Sequence, residues 1–294
     1  MAKELDKQAI EYHYDLSNEF YKLFLDKNML YTCAYFKKNN DSLEQAQLQK
    51  IDYVCKKLML KKGENFLDIG CGWGALAIHA ARKYGVNAIG ITLSKEQYEF
   101  ANNRIKKGKI KNCRIIHGDA KKILQFFKPK SFDKIAAIGI LEHVGIKNYI
   151  TFFRSMSILL KEEGLFLNHS IIHHISNHYF SDQTKFILKY VFPNGEIPHI
   201  SQVTEAIEKA GFEIRDIESL REHYAKTCWH WAMHLQNNKE KALKIVSKKQ
   251  YKIWLIYMAL ASVNFKEGNT NLYQILVHKK GKNLMPWTRE HMFS

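Results

Sequence analysis

Short apolar runs alternate with amphipathic stretches along the chain from residue 65 onwards. Apolar runs between turn residues indicate strands, and apolar residues spaced by three and four positions indicate helices. The predicted strands are 65–69, 87–91, 113–117, 132–138, 164–170, 212–219 and 271–278. The predicted helices are 74–84, 95–107, 146–160 and 201–210. This alternation is typical of βαβ units, so we expect an α/β fold with a seven-stranded, mostly parallel sheet and helices on both faces.

Three segments depart from this alternation. Residues 1–60 are rich in aromatic side chains and predict an N-terminal helical cap, while 172–200 and 224–265 interrupt the later strands and helices. Ligands of open α/β sheets bind at the carboxyl ends of the strands. We expect both insertions to form a helical lid at that edge, which would exclude water from a reaction. Without a low-complexity linker or an internal repeat, residues 1–294 predict a single domain.

The chain is strongly basic, with a formal net charge of +16 and a pI of about 9.4. Lysines cluster in the ranges 56–62, 106–111 and 239–252. Each cluster taken alone is explained by a solvated helix face. The total charge favours a polyanionic partner, either nucleic acid or an anionic membrane surface.

Cysteine usage and hydropathy bear on where the protein works. The five cysteines are an odd number without a C-x-x-C pair, which argues against a disulfide framework or a zinc site. The N-terminus is charged and unlike a signal peptide, and the apolar stretch 253–263 is too short to span a bilayer. We expect a cytoplasmic protein, and we expect any contact that it makes with a membrane to be peripheral.

The most informative motif is the apolar run with Asp68 that leads into Gly70, Gly72 and Gly74. Glycine permits positive φ and has no Cβ, so this turn can approach a ligand closely. The helix that follows presents unpaired N–H groups at its N-terminus, which favour negative charge. Asp68, with neither a G-x-G-x-x-G pattern nor a P-loop lysine, favours S-adenosylmethionine over NAD or ATP as the cofactor.

Polar residues follow the second and third predicted strands. Thr92, Ser94 and Gln97 lie where nucleotide-binding folds contact ribose hydroxyls. Asp119 lies where a carboxylate can accept a hydrogen bond from the adenine amino group. A helix N-cap at Ser94 and an ordinary turn at Asp119 explain the same residues equally well.

Two titratable residues belong to the ends of the fourth and fifth predicted strands. Glu142 and His169 should therefore meet at the edge of the sheet that holds the cofactor. A carboxylate at this edge is either an ion-pair partner or a catalytic group, and a lone histidine is usually structural. Because Glu142 and His169 are expected at the same edge, we favour a catalytic role for both. His173, His174 and His178 extend a histidine cluster. The strand at His169 spoils the helical i, i+4 spacing of metal ligands, so we expect no metal site.

Specific strings of residues extend over nearly the whole chain. They are His13–Tyr21 (HYDLSNEFY), Tyr31–Phe36 (YTCAYF), Leu67–Gly74 (LDIGCGWG), Thr92–Gln97 (TLSKEQ), Glu142–Gly145 (EHVG), Phe192–Gly195 (FPNG) and Glu222–Thr227 (EHYAKT). With these strings in this order, the chain resembles the cyclopropane-fatty-acyl-phospholipid synthase and mycolic acid cyclopropane synthase family. The resemblance implies a Rossmann-like class I methyltransferase fold and S-adenosylmethionine as the cofactor.

The resemblance also implies an activity and its residues. It implies transfer of a methylene group from S-adenosylmethionine to the cis double bond of an unsaturated phospholipid acyl chain, which forms a cyclopropane ring. The implied cofactor contacts are Tyr31, Thr32, Asp68, Gly70, Gly72, Gly74, Thr92, Leu93, Ser94, Gln97, Asp119 and Ala120. The implied bicarbonate site is formed by Glu142, Tyr224, His169, Cys33 and, through its backbone, Ile171.

The chemistry of this family explains the anion. Methyl transfer to an alkene leaves a carbocation, and a base must remove a proton from the new methyl group before the ring can close. A fixed carboxylate beside the cation risks trapping it as an ester, so a bound bicarbonate is a suitable base. The chain departs from some relatives at Ala261 and Ser262, where those relatives carry a cysteine that has been suggested to be catalytic.

Three other activities compete with this interpretation. A small-molecule amine N-methyltransferase would share the scaffold but would not need Cys33, His169 and Tyr224 together. A nucleic-acid methyltransferase would suit the charge, yet none of the four prolines precedes Tyr or Cys, as the motifs of those enzymes require. A non-catalytic lipid-surface protein would not need the glycine turn. The sequence does not specify the lipid, the position of its double bond, or whether the product contains a ring or a branch. It also does not specify the oligomeric state, for which a homodimer is one option.

Overall fold

The computed structural model describes residues 16–173, 185–187, 190–192, 196–281 and 285–293. The first fifteen residues of the predicted N-terminal cap lie outside these ranges, as do large parts of the insertion 172–200. His174, His178 and the motif residues Pro193 to Gly195 also lie outside the described residues.

One seven-stranded sheet forms the centre of the described structure. Its strands are β1 (Asn65–Ile69), β2 (Asn87–Thr92), β3 (Cys113–His117), β4 (Phe132–Ile138), β5 (Leu160–His173), β6 (Phe212–Ser219) and β7 (Thr270–Lys279). They are ordered β3-β2-β1-β4-β5-β7-β6. The first five in this order are parallel, and β7 runs antiparallel between β5 and β6. The predicted α/β fold with a mostly parallel sheet is confirmed.

Helices connect the strands and cover both faces of the sheet. They are α1 (Asn18–Tyr21), α2 (Leu43–Lys57), α3 (Ala75–His79), α4 (Lys95–Lys107), α5 (Leu141–Val144), α6 (Tyr149–Leu159), α7 (Ile200–Lys209), α8 (Arg221–Asn237), α9 (Lys239–Ala242), α10 (Lys248–Lys266) and α11 (Glu290–Phe293). A π-helical turn, Ala80–Tyr84, continues α3. Two short 3₁₀ helices span Ala120–Gln125 and Ile146–Asn148.

The prediction of a helical cap over residues 1–60 is wrong for much of its described part. Between α1 and α2 the chain runs through turns and irregular backbone. Asp26 explains part of this, because its carboxylate accepts hydrogen bonds from the backbone N–H of Asn28 at 2.9 Å and of Leu30 at 2.8 Å. Local side-chain-to-backbone bonds of this kind compete with helix formation.

The fifth strand is longer at both ends than its apolar run predicted. It begins at Leu160 and continues to His173, which pairs with Thr270 of β7. The polar residues at its start do not look like a strand in the sequence. Its length is set by hydrogen bonding to β4 and β7, which are distant in sequence.

Three apolar clusters fill the described structure. Two of them lie on the opposite faces of the sheet, one beneath α2, α3 and α4 and the other beneath α6 and α7. The third joins the N-terminal segment to α8 and α10 and contains Phe20, Tyr21, Trp231 and Trp254. It also includes Trp73 of the glycine turn, so the predicted insertion 224–265 is a helical hairpin packed beside that turn.

Candidate active site

The glycine turn connects β1 to α3. Gly70, Gly72 and Gly74 have φ values of +68°, +54° and +79°, a region that favours glycine. A Cβ atom at Gly70 would lie 1.8 Å from Ile140 Cδ1, so the turn packs directly against the segment after β4. A Cβ atom at Gly72 would meet no described atom within 4 Å. Gly72 therefore leaves its backbone open to a ligand.

A cavity of about 240 Å³ lies against this turn. Of the predicted cofactor residues, those that line it are Tyr31, Thr32, Asp68, Gly70, Gly72, Thr92, Leu93, Ser94, Gln97, Asp119 and Ala120. Of the predicted anion-site residues, those that line it are Glu142, His169, Ile171 and Tyr224. Gly74 and Cys33 are not among its described lining residues. The structure therefore brings together two groups of residues from distant parts of the sequence.

Asp68 supplies a buried carboxylate to the cavity wall. Its Oδ2 atom has no hydrogen-bond partner among the residues that the structure describes. Burial raises the pKa of Asp68 to about 7, and the positive charge of Lys50 opposes that shift. A buried acceptor without a partner is costly, and a hydrogen-bond donor on a cationic ligand would satisfy it.

The sequence did not point to Lys50 or Gln47, which hold the loop that carries Tyr31 and Thr32. Lys50 is 1% exposed and donates a hydrogen bond to Thr32 Oγ1 over 2.9 Å. Gln47 donates to the Thr32 carbonyl over 2.8 Å. Burial lowers the pKa of Lys50 to about 8. The only sequence signal was a pair of polar residues, three positions apart, among the apolar positions of α2.

The polar residues at the end of β2 and in the loops after β2 and β3 form local hydrogen bonds and line the cavity. Thr92 Oγ1 donates to Gln97 Oε1 over 2.7 Å, and Ser94 Oγ accepts from the Gln97 N–H at 3.3 Å. Asp119 Oδ1 accepts from the Lys121 N–H at 2.8 Å. Ser94 and Asp119 therefore cap helices while they line the cavity.

Glu142 lies in the first turn of α5 and reaches towards β5. Its Oε1 atom accepts a hydrogen bond from the Ile171 N–H over 2.6 Å. Its Oε2 atom is buried and has no partner in the described part of the chain. Burial raises the pKa of Glu142 to about 7, against the lowering effect of the Ile171 bond. The Ile171 backbone, predicted to contact an anion, therefore fixes one oxygen of Glu142 and leaves the other available.

His169 is buried in β5, at 1% exposure. Its Nδ1 atom lies 3.1 Å from Nε2 of Gln274 on β7, a residue that the sequence did not single out. Its Nε2 atom has no hydrogen-bond partner within the described ranges. Burial lowers the pKa of His169 far below its usual value, so the ring is neutral.

Tyr224 and Cys33 both lie in the aromatic cluster beside the cavity. Burial raises the pKa of Tyr224 far above its usual value, so its hydroxyl keeps its proton. Cys33 is fully buried, and its Sγ atom lies 3.2 Å from the Ala34 carbonyl oxygen. Burial also raises the pKa of Cys33, which keeps it a thiol, whereas nucleophilic cysteines act as thiolates.

The positions that depart from the sequence motif of some relatives lie in a helix contact. Ala261 is buried on α10, and Ser262 Oγ donates to the Ala225 carbonyl of α8 over 2.8 Å. Neither residue is among those described as lining the cavity. In this chain, both positions serve the packing of the hairpin.

The described residues contain no group of three His, Cys, Asp or Glu side chains that could hold a metal ion. No described helix is long and apolar enough to cross a bilayer.

Comparison with known proteins gives consistent matches. A family model described as mycolic acid cyclopropane synthetase matches residues 1–275. A probable fatty acid methyltransferase of Pseudomonas putida is 42% identical over 297 residues, which cover 99% of this chain and 75% of that protein. Cyclopropane mycolic acid synthase 1 of Mycobacterium tuberculosis is 35% identical over 281 residues, 92% of this chain and 96% of that protein.

A solved structure extends the match to three dimensions. The crystal structure of a mycolic acid cyclopropane synthase complexed with SAH and CTAB has a TM-score of 0.88 and 34% identity. The alignment covers 93% of this chain and 98% of that one. The predicted class I methyltransferase fold is confirmed by this likeness.

Proposed function

Because the chain belongs to the mycolic acid cyclopropane synthetase family of S-adenosylmethionine-dependent methyltransferases, we propose that it cyclopropanates lipids. It transfers a methylene group to the cis double bond of an unsaturated phospholipid acyl chain. The observation that carries this proposal is that Glu142 and His169, each with a buried polar atom that has no partner among the described residues, line the same cavity as the glycine turn.

The cavity fits the cofactor. Bound S-adenosylmethionine would supply an electrophilic sulfonium methyl group. The open backbone at Gly72 and the unpartnered Oδ2 of Asp68 are suited to its amino-acid portion. Thr92 and Asp119, which also line the cavity, are suited to the hydroxyl and amino groups of its nucleoside.

The same cavity fits a small oxyanion. Glu142, His169 and Tyr224 line it together and would hold bicarbonate, which would supply a base for the excess proton of a carbocation. The Tyr224 hydroxyl keeps its proton and is a donor for an anionic oxygen. Ile171 contributes by fixing Glu142. Cys33 is a buried, neutral thiol that is not among the described lining residues.

The apolar side of the cavity supports a lipid substrate. Met29, Ile187, Phe192 and Leu272 line it, and the Tyr31 ring lies 5.0 Å from that of Trp231. These side chains offer an acyl chain an apolar surface, and aromatic faces stabilise a nearby cation. These apolar side chains offer few polar partners to a small, charged amine. For this reason we favour a lipid substrate over a small amine substrate.

We further propose that the enzyme works peripherally at the inner face of an anionic membrane. Exposed lysines on α9 and the start of α10 lie near exposed apolar residues, among them Leu243 and Ile245. Each basic residue close to an anionic surface contributes about 1 kcal/mol to binding.

The deciding experiment supplies the protein with labelled S-adenosylmethionine, bicarbonate and vesicles of mixed unsaturated phospholipids. Mass spectrometry should find labelled phospholipid that is heavier by one CH₂ unit and has lost its double bond. A Glu142→Gln variant should give none. An unsaturated methylene branch, or a methyl branch with a hydroxyl group from water, in place of the ring would correct the product. A parallel reaction also contains small amines. If only the amines become labelled, the protein is an N-methyltransferase and the proposed lipid activity is wrong.

A further inference from the structure

Gln274 is buried beside the candidate site, and none of the roles discussed above accounts for it. The antiparallel register of β5 and β7 pairs His169 directly with Gln274. Both side chains are buried, at 1% and 0% exposure. Directly paired residues of neighbouring strands project to the same face, which explains the 3.1 Å contact between Gln274 Nε2 and His169 Nδ1.

We infer that Gln274 is a positioning residue that sets the tautomer of His169, so that the His169 Nε2–H serves as a hydrogen-bond donor in the cavity. A neutral imidazole has one donor nitrogen and one acceptor nitrogen. The amide nitrogen of Gln274 can only donate, so Nδ1 of His169 accepts and the proton resides on Nε2.

The donor on His169 complements the acceptor on Glu142. Glu142 Oε2 and His169 Nε2 are buried and have no hydrogen-bond partner among the described residues, and both residues line the cavity. Bicarbonate has one O–H donor and two oxygens that share its charge, so a wall with a carboxylate acceptor and an N–H donor matches it. The opposite tautomer would present two acceptors and repel the anion. This consequence rests on the proposed function, whereas the tautomer itself does not.

The test uses a substitution that keeps the shape of Gln274 and changes its hydrogen bonding and charge. The ionised side chain of Gln274→Glu accepts hydrogen bonds and does not donate them, so it should move a proton onto His169 Nδ1. Two-bond ¹H–¹⁵N correlation spectra of histidine-labelled protein report which ring nitrogens carry protons. A His169→Asn variant assigns the signal. Gln236→Glu, on the exposed surface of α8, is the matched control.

The expected wild-type spectrum has a protonated Nε2 and an unprotonated Nδ1 at His169, and Gln274→Glu should protonate Nδ1. Turnover should fall roughly 10- to 100-fold, the size found for groups that orient a histidine ligand. The dissociation constant of S-adenosylmethionine should stay unchanged. Gln236→Glu should alter none of these quantities. Gln274→Met, which removes the hydrogen bond alone, should give a mixture of tautomers.

Two results would overturn the inference. One is a wild-type spectrum with the proton on Nδ1, which is read without any variant and so does not depend on how the variants fold. The other is a Gln274→Met spectrum identical to that of the wild type. If the spectra behave as expected but no lipid product forms, the positioning role holds and the proposed function fails.

Discussion

Trp73 of the glycine turn donates its indole N–H to Asn18 Oδ1 over 2.6 Å. Asn18 in turn donates through Nδ2 to Glu96 Oε2, at 3.3 Å, in the first turn of α4. The Trp73 ring also lies 5.0 Å from that of Tyr21. The N-terminal segment is thus attached to the glycine turn, which lines the cavity, and to the first turn of α4, so order in this segment should support order in both.

Removing this single hydrogen bond should weaken cofactor binding. Trp73→Phe keeps an aromatic ring against Tyr21 but removes the N–H that Asn18 accepts. A net hydrogen bond contributes about 0.5–1.5 kcal/mol, so the dissociation constant of S-adenosylmethionine should rise roughly 2- to 10-fold in calorimetric titration. Trp229→Phe, at a side chain that is 54% exposed, is the control. Equal affinities in the wild type and Trp73→Phe would contradict the role of this contact.

The pH dependence of cofactor binding should follow the ionisation of Asp68. Its pKa is raised to about 7, and only its charged form attracts the cationic groups of S-adenosylmethionine. Affinity should therefore increase as pH rises through about 7. Lys50→Met removes a positive charge that holds this pKa down, so the midpoint should move to higher pH.

Glu142 also titrates at about pH 7, which makes Glu142→Gln the control for that experiment. If Asp68 is the titrating group, the affinity of Glu142→Gln for S-adenosylmethionine, measured by calorimetry, should depend on pH as it does in the wild type. If the affinity of Glu142→Gln does not depend on pH, and the midpoint of the pH profile is the same in Lys50→Met as in the wild type, the titrating group is Glu142.

The fold was largely predictable from the sequence because its signals are local. All seven strands occur where an apolar run predicted them, and the turn at Gly70 to Gly74 is encoded by its glycines. The irregular segment between α1 and α2 was not predictable in this way. Gln47 holds its backbone at the Thr32 carbonyl, 15 residues earlier in the chain, and Lys50 holds the Thr32 hydroxyl, 18 residues earlier.

The candidate site was predictable only for residues near the carboxyl end of β4. Glu142 lies four residues after that end, and His169 pairs with Ile138, the last residue of β4. Glu142 and His169 follow from the rule that ligands bind at the carboxyl edge of a parallel sheet. Gln274 depends on the register of β5 against β7, two strands about a hundred residues apart, and no periodicity in the sequence specifies that register. Cys33 matched the motif of the family, but its Sγ atom contacts the Ala34 and Leu220 carbonyl oxygens, and Cys33 is not among the described residues that line the cavity.

Glu142 should make the protein less stable at neutral pH than a neutral residue of the same shape would. Its folded pKa of about 7 exceeds the ordinary value of 4.5, so the folded state keeps a proton that the unfolded state has lost. Stability from this group therefore falls as pH rises from 4.5 to about 7 and is constant above. Glu142→Gln cannot titrate, and its amide oxygen can still accept from the Ile171 N–H.

Urea unfolding should show Glu142→Gln to be more stable than the wild type at about pH 8, by up to ~3 kcal/mol, and equal to it near pH 4. The same variant should lose ring formation while its affinity for S-adenosylmethionine stays nearly unchanged. A variant that is less stable than the wild type at pH 8 would show that the charged carboxylate has a stabilising partner. Loss of cofactor affinity would place Glu142 in the cofactor site.

The exposed side of α10 is the surface that we expect to meet the membrane. Lys249, Ile256 and Val263 are seven residues apart and so share one helix face, on which Ile256 is 46% and Val263 is 48% exposed. Lys248 and Lys252 are exposed beside them. Apolar side chains flanked by lysines are typical of helices that lie in the plane of a membrane interface.

Replacing Lys248, Lys249 and Lys252 together by Gln should weaken binding to vesicles that contain phosphatidylglycerol. At about 1 kcal/mol for each lysine, partitioning in a sedimentation assay at low salt should fall roughly 100-fold. Added salt should narrow the difference, because it screens exposed charges. In the control variant, Lys106, Lys107 and Lys109, which are also exposed, are replaced by Gln. The two triple variants therefore have the same net charge. If both triple variants lose the same amount of vesicle binding, overall charge and not this helix face is responsible. If vesicle binding of the wild type does not change with salt, the attachment is not electrostatic.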